Sequence, residues 1–149
     1  MLKGERTVIL TVSKRLSAND VGITGTHQAG ILIPKSREIL QFFPKLDENQ
    51  HNPSCRVTVH LPELEEFVDL RFIHYNGKKT GLSTRDEYRL TGTTRILRAL
   101  NAGEGDDLEF HRSYNGDVHV RVLHASASDD ENRGGDVIQL SGGWRLIRT

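Results

Sequence analysis

The sequence predicts an all-β domain, a barrel or pseudobarrel of about seven or eight short strands with two short helices. Three observations carry that expectation. Apolar residues alternate with period two through much of the chain, turn dipeptides recur at short intervals, and only two stretches show helical spacing.

The elements follow in order. Thr7–Lys14 (TVILTVSK) is rich in β-branched residues, which fit a pleated, half-buried surface. Ser17–Gly30 is dense in Gly, Ser, Thr, Asn and Asp and reads as a long loop, a length that marks function inside a compact domain. Ile31–Ile33 is a short strand ended by Pro34. Lys35–Phe43 places Ile39, Leu40 and Phe43 at helical spacing, and Pro44 stops it. Cys55–Leu61 alternates. So does Phe67–Tyr75, with Val68, Leu70, Phe72 and His74 on one side and Phe67, Asp69, Arg71, Ile73 and Tyr75 on the other.

Asn76-Gly77 is a strong turn signal. Arg85–Leu90 is short and extended. Thr94–Leu100 is a short helix with Thr94 as its expected N-cap. Asp107–Arg112 and Val118–Leu123 flank Tyr114-Asn115-Gly116-Asp117, a hairpin signal. Asp129–Gly135 is a polar loop, and Val137–Leu140 and Trp144–Ile147 are late strands separated by Gly142-Gly143.

The 149 residues suit one domain spanning 1–149, with 36% hydrophobic and 27% charged residues, the composition of an ordinary folded protein. No apolar run is long enough to span a membrane, and the N-terminus lacks the pattern of a signal peptide. The single cysteine, Cys55, rules out an internal disulfide and makes a reducing compartment the default.

Net charge is zero but unevenly laid out. Residues 1–37 carry +4, 38–70 carry −5, 71–98 carry +5 and 99–149 carry −4. Two basic stretches brought together by the fold would form a positive surface with an acidic back. Blocks that merely average out over a mixed surface are the plainer reading.

The segment Arg85-Asp86-Glu87-Tyr88-Arg89 puts Arg85, Glu87 and Arg89 on one face of an extended chain, with Asp86 and Tyr88 opposite. Arg donates two parallel bonds to guanine O6 and N7, and Glu accepts from cytosine N4. A Glu among phosphates is repelled, so this row suits base edges better than a nucleic-acid backbone. The alternative is a solvated strand face on which Glu87 bridges two arginines. Lys14 and Arg15 precede the loop SANDVGITGTHQAG, whose small residues let backbone N–H groups approach phosphates and whose His27 and Gln28 can reach bases or phosphates. An ordinary flexible loop is the alternative there.

Catalytic and cofactor signals are missing. The seven histidines form no H-x-H or H-E-x-x-H pair, and one cysteine cannot make a zinc site of the usual spacing. No G-x-S-x-G elbow and no phosphate-binding glycine loop occurs. The residues two positions before each lysine are Met1, Val12, Ile33, Phe43, Asn76 and Gly77, so the chain has neither an acid-x-Lys nuclease motif nor a His-x-Lys motif. No catalytic residue, metal or cofactor is expected.

The run KRLSANDVGITGTHQAGILIP (Lys14–Pro34) resembles the amino-terminal effector-binding domain of the EcoRII restriction endonuclease family. IHYNGKKTG (Ile73–Gly81), STRDEYRLTG (Ser83–Gly92) and ASASDDE (Ala125–Glu131) resemble later blocks of that domain in the same order. The resemblance implies a DNA-binding pseudobarrel, shared with plant auxin-response-factor domains, in which two arms grip the major groove. It places the first arm around Lys14–Leu32 and the second around Ser83–Arg89. The family's contacts carry over to Lys14, His27, Arg85, Glu87 and Arg89, with Arg15, Gln28, Ser83, Asp86 and Tyr88 beside them in the arms. Ser83 and Tyr88 stand where the family has lysines, and Leu32 where it has a tyrosine, which weakens its contacts at those three positions.

The resemblance further implies a bacterial, cytoplasmic restriction enzyme whose partner is double-stranded DNA with a CC/GG-containing site of CCWGG type (W is A or T). Its cleaving domain is a separate segment outside this chain. Two other classes compete: a small standalone hydrolase using a histidine, and a protein-interaction β-domain.

Overall fold

The computed structural model describes residues 8–22, 30–125 and 136–148. Nine strands form one curled sheet: β1 (Val8–Arg15), β2 (Ile31–Ile33), β3 (Ser54–Leu61), β4 (Glu66–Tyr75), β5 (Glu87–Thr91), β6 (Asp107–Ser113), β7 (Val118–Leu123), β8 (Asp136–Gln139) and β9 (Trp144–Arg148). Their order is β2-β5-β4-β3-β7-β6-β1-β9-β8. Every ladder is antiparallel except β3 with β7, which pairs Val59 with Val118 and His60 with His119. That short parallel seam joins two antiparallel halves.

The expected all-β class is borne out. The strand count rises from seven or eight to nine, because even the three-residue Ile31–Ile33 and the short Glu87–Thr91 segment have full ladder partners. Strand β4 follows its alternation closely. Val68, Leu70, Phe72 and His74 are buried, while Phe67, Asp69 and Arg71 are exposed.

Curling brings the two ends of the sheet order together. The Trp144 indole Nε1 on β9 donates to the Leu32 carbonyl on β2 at 3.0 Å. One side-chain bond thus closes the pseudobarrel where no ladder does. Inside, Phe43 stacks on Phe72 at 4.7 Å, Phe42 meets Phe110 edge-on at 6.2 Å, and Phe110 lies 6.0 Å from Trp144. These rings, with Val59, Leu61, Leu90, Leu108, Val120 and Ile96, form one apolar core.

Three short α-helices are described, α1 (Arg37–Leu40), α2 (Gly77–Thr80) and α3 (Thr93–Ala99), against the two helices expected. The expected helix over Lys35–Phe43 shrinks to one turn, after which Phe42 and Phe43 are held by bonds to the carbonyls three residues earlier. Helix α3 begins one residue early. Its N-cap is Gly92 at φ 84 rather than Thr94.

Asn76-Gly77 does not make a hairpin turn but starts α2. The Asn76 amide is committed elsewhere: its oxygen accepts the Asn52 N–H at 2.8 Å and its nitrogen donates to the Gln50 carbonyl at 2.8 Å. The chain therefore leaves β4 as an arm of eleven residues, 76–86, before β5 begins. Gly77 is required within that arm, since a Cβ there would stand 1.9 Å from Ser83 Oγ. Gly30 returns the chain to the sheet just before β2. Its φ is +77, and a Cβ would stand 2.1 Å from the Leu90 carbonyl oxygen.

Candidate nucleic-acid interface

The second arm is held by backbone bonds before any ligand arrives. Leu82 and Ser83 N–H groups donate to the Gly77 carbonyl at 2.9 and 3.2 Å, and Lys78 N–H donates to the Arg85 carbonyl at 2.9 Å. That last bond draws Arg85 out of the ladder, so β5 starts at Glu87 rather than at Arg85 as the sequence suggested. Ser83 is turned inward to the arm, where its Oγ accepts the Arg85 N–H at 3.2 Å.

Alternation persists through the arm all the same. Arg85, Glu87 and Arg89 form a connected row. Glu87 accepts from Arg85 Nε at 2.8 Å through one oxygen and from Arg89 Nε at 3.1 Å through the other. Partial burial acts to raise the Glu87 carboxyl. The hydrogen bond from Arg85 and the charges of Arg89 and Arg85 outweigh it and hold the group below the usual glutamate range. Glu87 is therefore an anion with both arginines fixed around it.

The two arginines are not equivalent. The Arg85 side chain is 45% exposed and lies with its guanidinium carbon 3.6 Å from the centre of the Tyr75 ring. The Arg89 side chain is only 5% exposed and forms part of the floor of a cleft.

Asp86 and Tyr88 face the other way. Asp86 is bound by Lys35 and by His74 Nε2 at 2.9 Å. Those hydrogen bonds, Lys35 first, hold its carboxyl down at about 2. Tyr88 stacks on His74 at 4.0 Å and on Phe72 at 5.6 Å, and burial pushes its phenol up. The other His74 nitrogen faces Glu48 at 2.6 Å. Asp86 and Tyr88, expected among the contacts, are thus tied into a support beneath the row.

At the root of the first arm, Lys14 is not a free surface cation. Its Nζ lies 2.9 Å from Asp20 Oδ2 with both side chains 7% exposed, and it donates to the Arg15 carbonyl at 2.9 Å. Ser17 and Asp20 cap each other, Ser17 N–H to Asp20 at 2.9 Å and Asp20 N–H to Ser17 Oγ at 3.2 Å, so the arm leaves β1 in a fixed turn. Arg15 donates to Asp107 at 3.1 and 3.3 Å, and Asp107 also takes Arg145 Nη2 at 2.7 Å. His27 and Gln28, expected to reach bases or phosphates, lie outside the described residues, as does most of ASASDDE.

One cleft, of about 590 Å³, lies between the end of β1 and β5. Lys14 lines it from the end of β1, Ser17, Asn19 and Asp20 from the turn that follows, Arg89 from β5, and Leu32, Pro34, Ser141, Gly142 and Trp144 from the closure of the barrel. The structure therefore brings Lys14 and Arg89 to one cavity. Sequence reasoning missed Asn19, Tyr75 and Lys35, and also Lys78 and Lys79, exposed on α2. The period-two pattern put Tyr75 on the outer side of β4. Its partnership with Arg85 depends on the pairing of Tyr75 with Glu87, which no local pattern encodes.

Among the described residues, no group of three His, Cys, Asp or Glu is placed to hold a metal ion, and no helix is long and apolar enough to cross a membrane.

The curled nine-stranded sheet is a B3-type pseudobarrel. The fold matches the B3 domain of the UbaLAI restriction endonuclease, solved with its cognate DNA, at a TM-score of 0.58 and 18% identity over 97% of this chain and 91% of that one. Residues 6–139 match the family model "Restriction endonuclease EcoRII, N-terminal", and the chain belongs to that family. A stretch of 80 residues is 41% identical to the Type II restriction enzyme EcoRII of Escherichia coli, covering 52% of this chain and 19% of that enzyme.

Proposed function

We propose that this domain binds double-stranded DNA sequence-specifically and is the effector-binding part of a longer restriction endonuclease. In this reading the second arm enters the major groove with Arg85 and Glu87 toward the base edges, and the first arm grips from the other side. The carrying observation is Glu87, an ionised acid held between the exposed Arg85 and the buried Arg89. The Arg85 guanidinium serves guanine O6/N7 and the Glu87 carboxylate cytosine N4, and a carboxylate at that position is repelled by phosphate. Arg89 serves from the cleft floor, fixing the second oxygen of Glu87. Lys78 and Lys79 supply phosphate contacts.

The family's CCWGG-type site and the G·C preference of an Arg-Glu pair together make a CC/GG-containing duplex the target. The fold likeness to UbaLAI's B3 domain, solved with its cognate DNA, supports a DNA-binding role. The catalytic nuclease domain lies elsewhere in the parent protein.

Arg85→Ala is expected to weaken binding to a CC/GG duplex by about 1–3 kcal/mol and to relax discrimination at one base pair. Gel-shift titrations against a panel of single-substitution duplexes measure both. An unchanged panel contradicts the assignment of Arg85 to a base edge.

A further inference from the structure

Strand β4 ends in His74 and Tyr75, neighbours that face opposite sides of the sheet and pair with Tyr88 and Glu87 of β5. On the inner side, His74 binds Asp86 and stacks on Tyr88, and Lys35 binds Asp86 from the start of α1. Together with the Lys78 to Arg85 backbone bond, these contacts fix the main chain under the reading row. They leave the direction of the exposed Arg85 side chain to be set from outside. There the Tyr75 ring lies 3.6 Å from the guanidinium carbon, while Glu87 takes the Arg85 Nε and Nη2 hydrogens.

We propose that Tyr75 is a specificity-determining positioning residue, an aromatic platform that holds the Arg85 guanidinium for a two-bond contact with one base edge. The proposal rests on the base-reading assignment of Arg85. A guanidinium lying on a ring gives up only its face, so with the Nε side held by Glu87 the Nη1/Nη2 end stays available for in-plane acceptors. Two parallel bonds demand a plane fixed within roughly 10–20°. A long side chain free to rotate loses that orientation, and the loss falls on discrimination rather than on charge.

The test compares Tyr75→Leu, Tyr75→Phe and Arg85→Ala with the unmodified chain on one panel of duplexes, each differing from the CC/GG site by a single base pair, at several salt concentrations. Tyr75→Leu is expected to reduce discrimination about three- to fivefold at the base pair that Arg85→Ala relaxes. Its salt slope should stay unchanged, because no charge is removed. Tyr75→Phe keeps the ring and should retain full discrimination. If Tyr75→Leu unfolds, Tyr75→Ile, with a β-branched side chain suited to the strand, carries the same expectation. Full discrimination by the ring-less variant, or equal weakening on every duplex, overturns the platform while the base-reading assignment stands. An Arg85→Ala variant that relaxes no base pair overturns that assignment, and the platform with it.

Discussion

Asp107→Ala is expected to lower the unfolding free energy by about 3–5 kcal/mol, the usual loss when one partner of a buried ion pair is removed. Asp107 is 2% exposed and takes bonds from both Arg15 and Arg145. Arg15 can turn to water, since its side chain is half exposed, but Arg145 is buried. Truncation leaves a guanidinium in the interior without this carboxylate. Replacing Asp107 and Arg145 together by Leu and Met should recover most of the loss, because neither charge then remains to be desolvated. Urea unfolding of both variants measures the difference. A loss below about 1 kcal/mol for Asp107→Ala would show the pair to be solvated. The same carboxylate anchors Arg15 at the root of the first arm, so DNA binding should fall in step with stability.

Lys14→Met is expected to cost about 3 kcal/mol of stability, for a related reason. Its ammonium and the Asp20 carboxylate are buried against each other at 2.9 Å, and Met leaves Asp20 with the Ser17 N–H but no cation. Asp20→Leu alone should be similarly costly, and the double variant should be milder than either single one. This result separates two roles. A lysine making a surface phosphate contact would leave stability within about 0.5 kcal/mol on removal and lower the salt slope of DNA binding by about one. The buried pair predicts the reverse weighting, with unfolding shifted strongly and the slope little changed. Thermal or urea unfolding read beside salt-titrated binding distinguishes them.

The fold was legible where local pattern and tertiary role agree. In β4 the alternation of Val68, Leu70, Phe72 and His74 is both a sequence period and the buried face. The β6–β7 hairpin formed at Asn115-Gly116, where Gly116 takes a φ of 90 and Asn115 Oδ1 accepts the Asp117 N–H. Asn76-Gly77 carried a turn signal of the same kind and did otherwise. Its side chain is claimed by residues 50 and 52, 24 or more positions away, and no local rule sees that.

The candidate site divides the same way. Sharing of one face by Arg85, Glu87 and Arg89 follows from the period of extended chain, and the structure keeps it. The burial of Arg89 does not follow from that period, because it depends on β2 and the Trp144 closure standing over β5. The Lys14–Asp20 pair was not legible because Asp20 falls in the segment read as loop, although the two lie only six residues apart. The Ser17–Asp20 turn folds that carboxylate back under the strand end. The inner support of His74, Asp86 and Lys35 joins three segments and left no trace in any one of them.

The most direct test of the central claim is equilibrium binding of the purified chain to a CC/GG-containing duplex and to duplexes in which each G·C pair is replaced in turn, over a range of salt. The account predicts affinity for the intact site about 10³-fold or more above that for unrelated duplex, with each replacement inside the site costing about 1–3 kcal/mol. Equal affinity for every duplex at every salt concentration would contradict it.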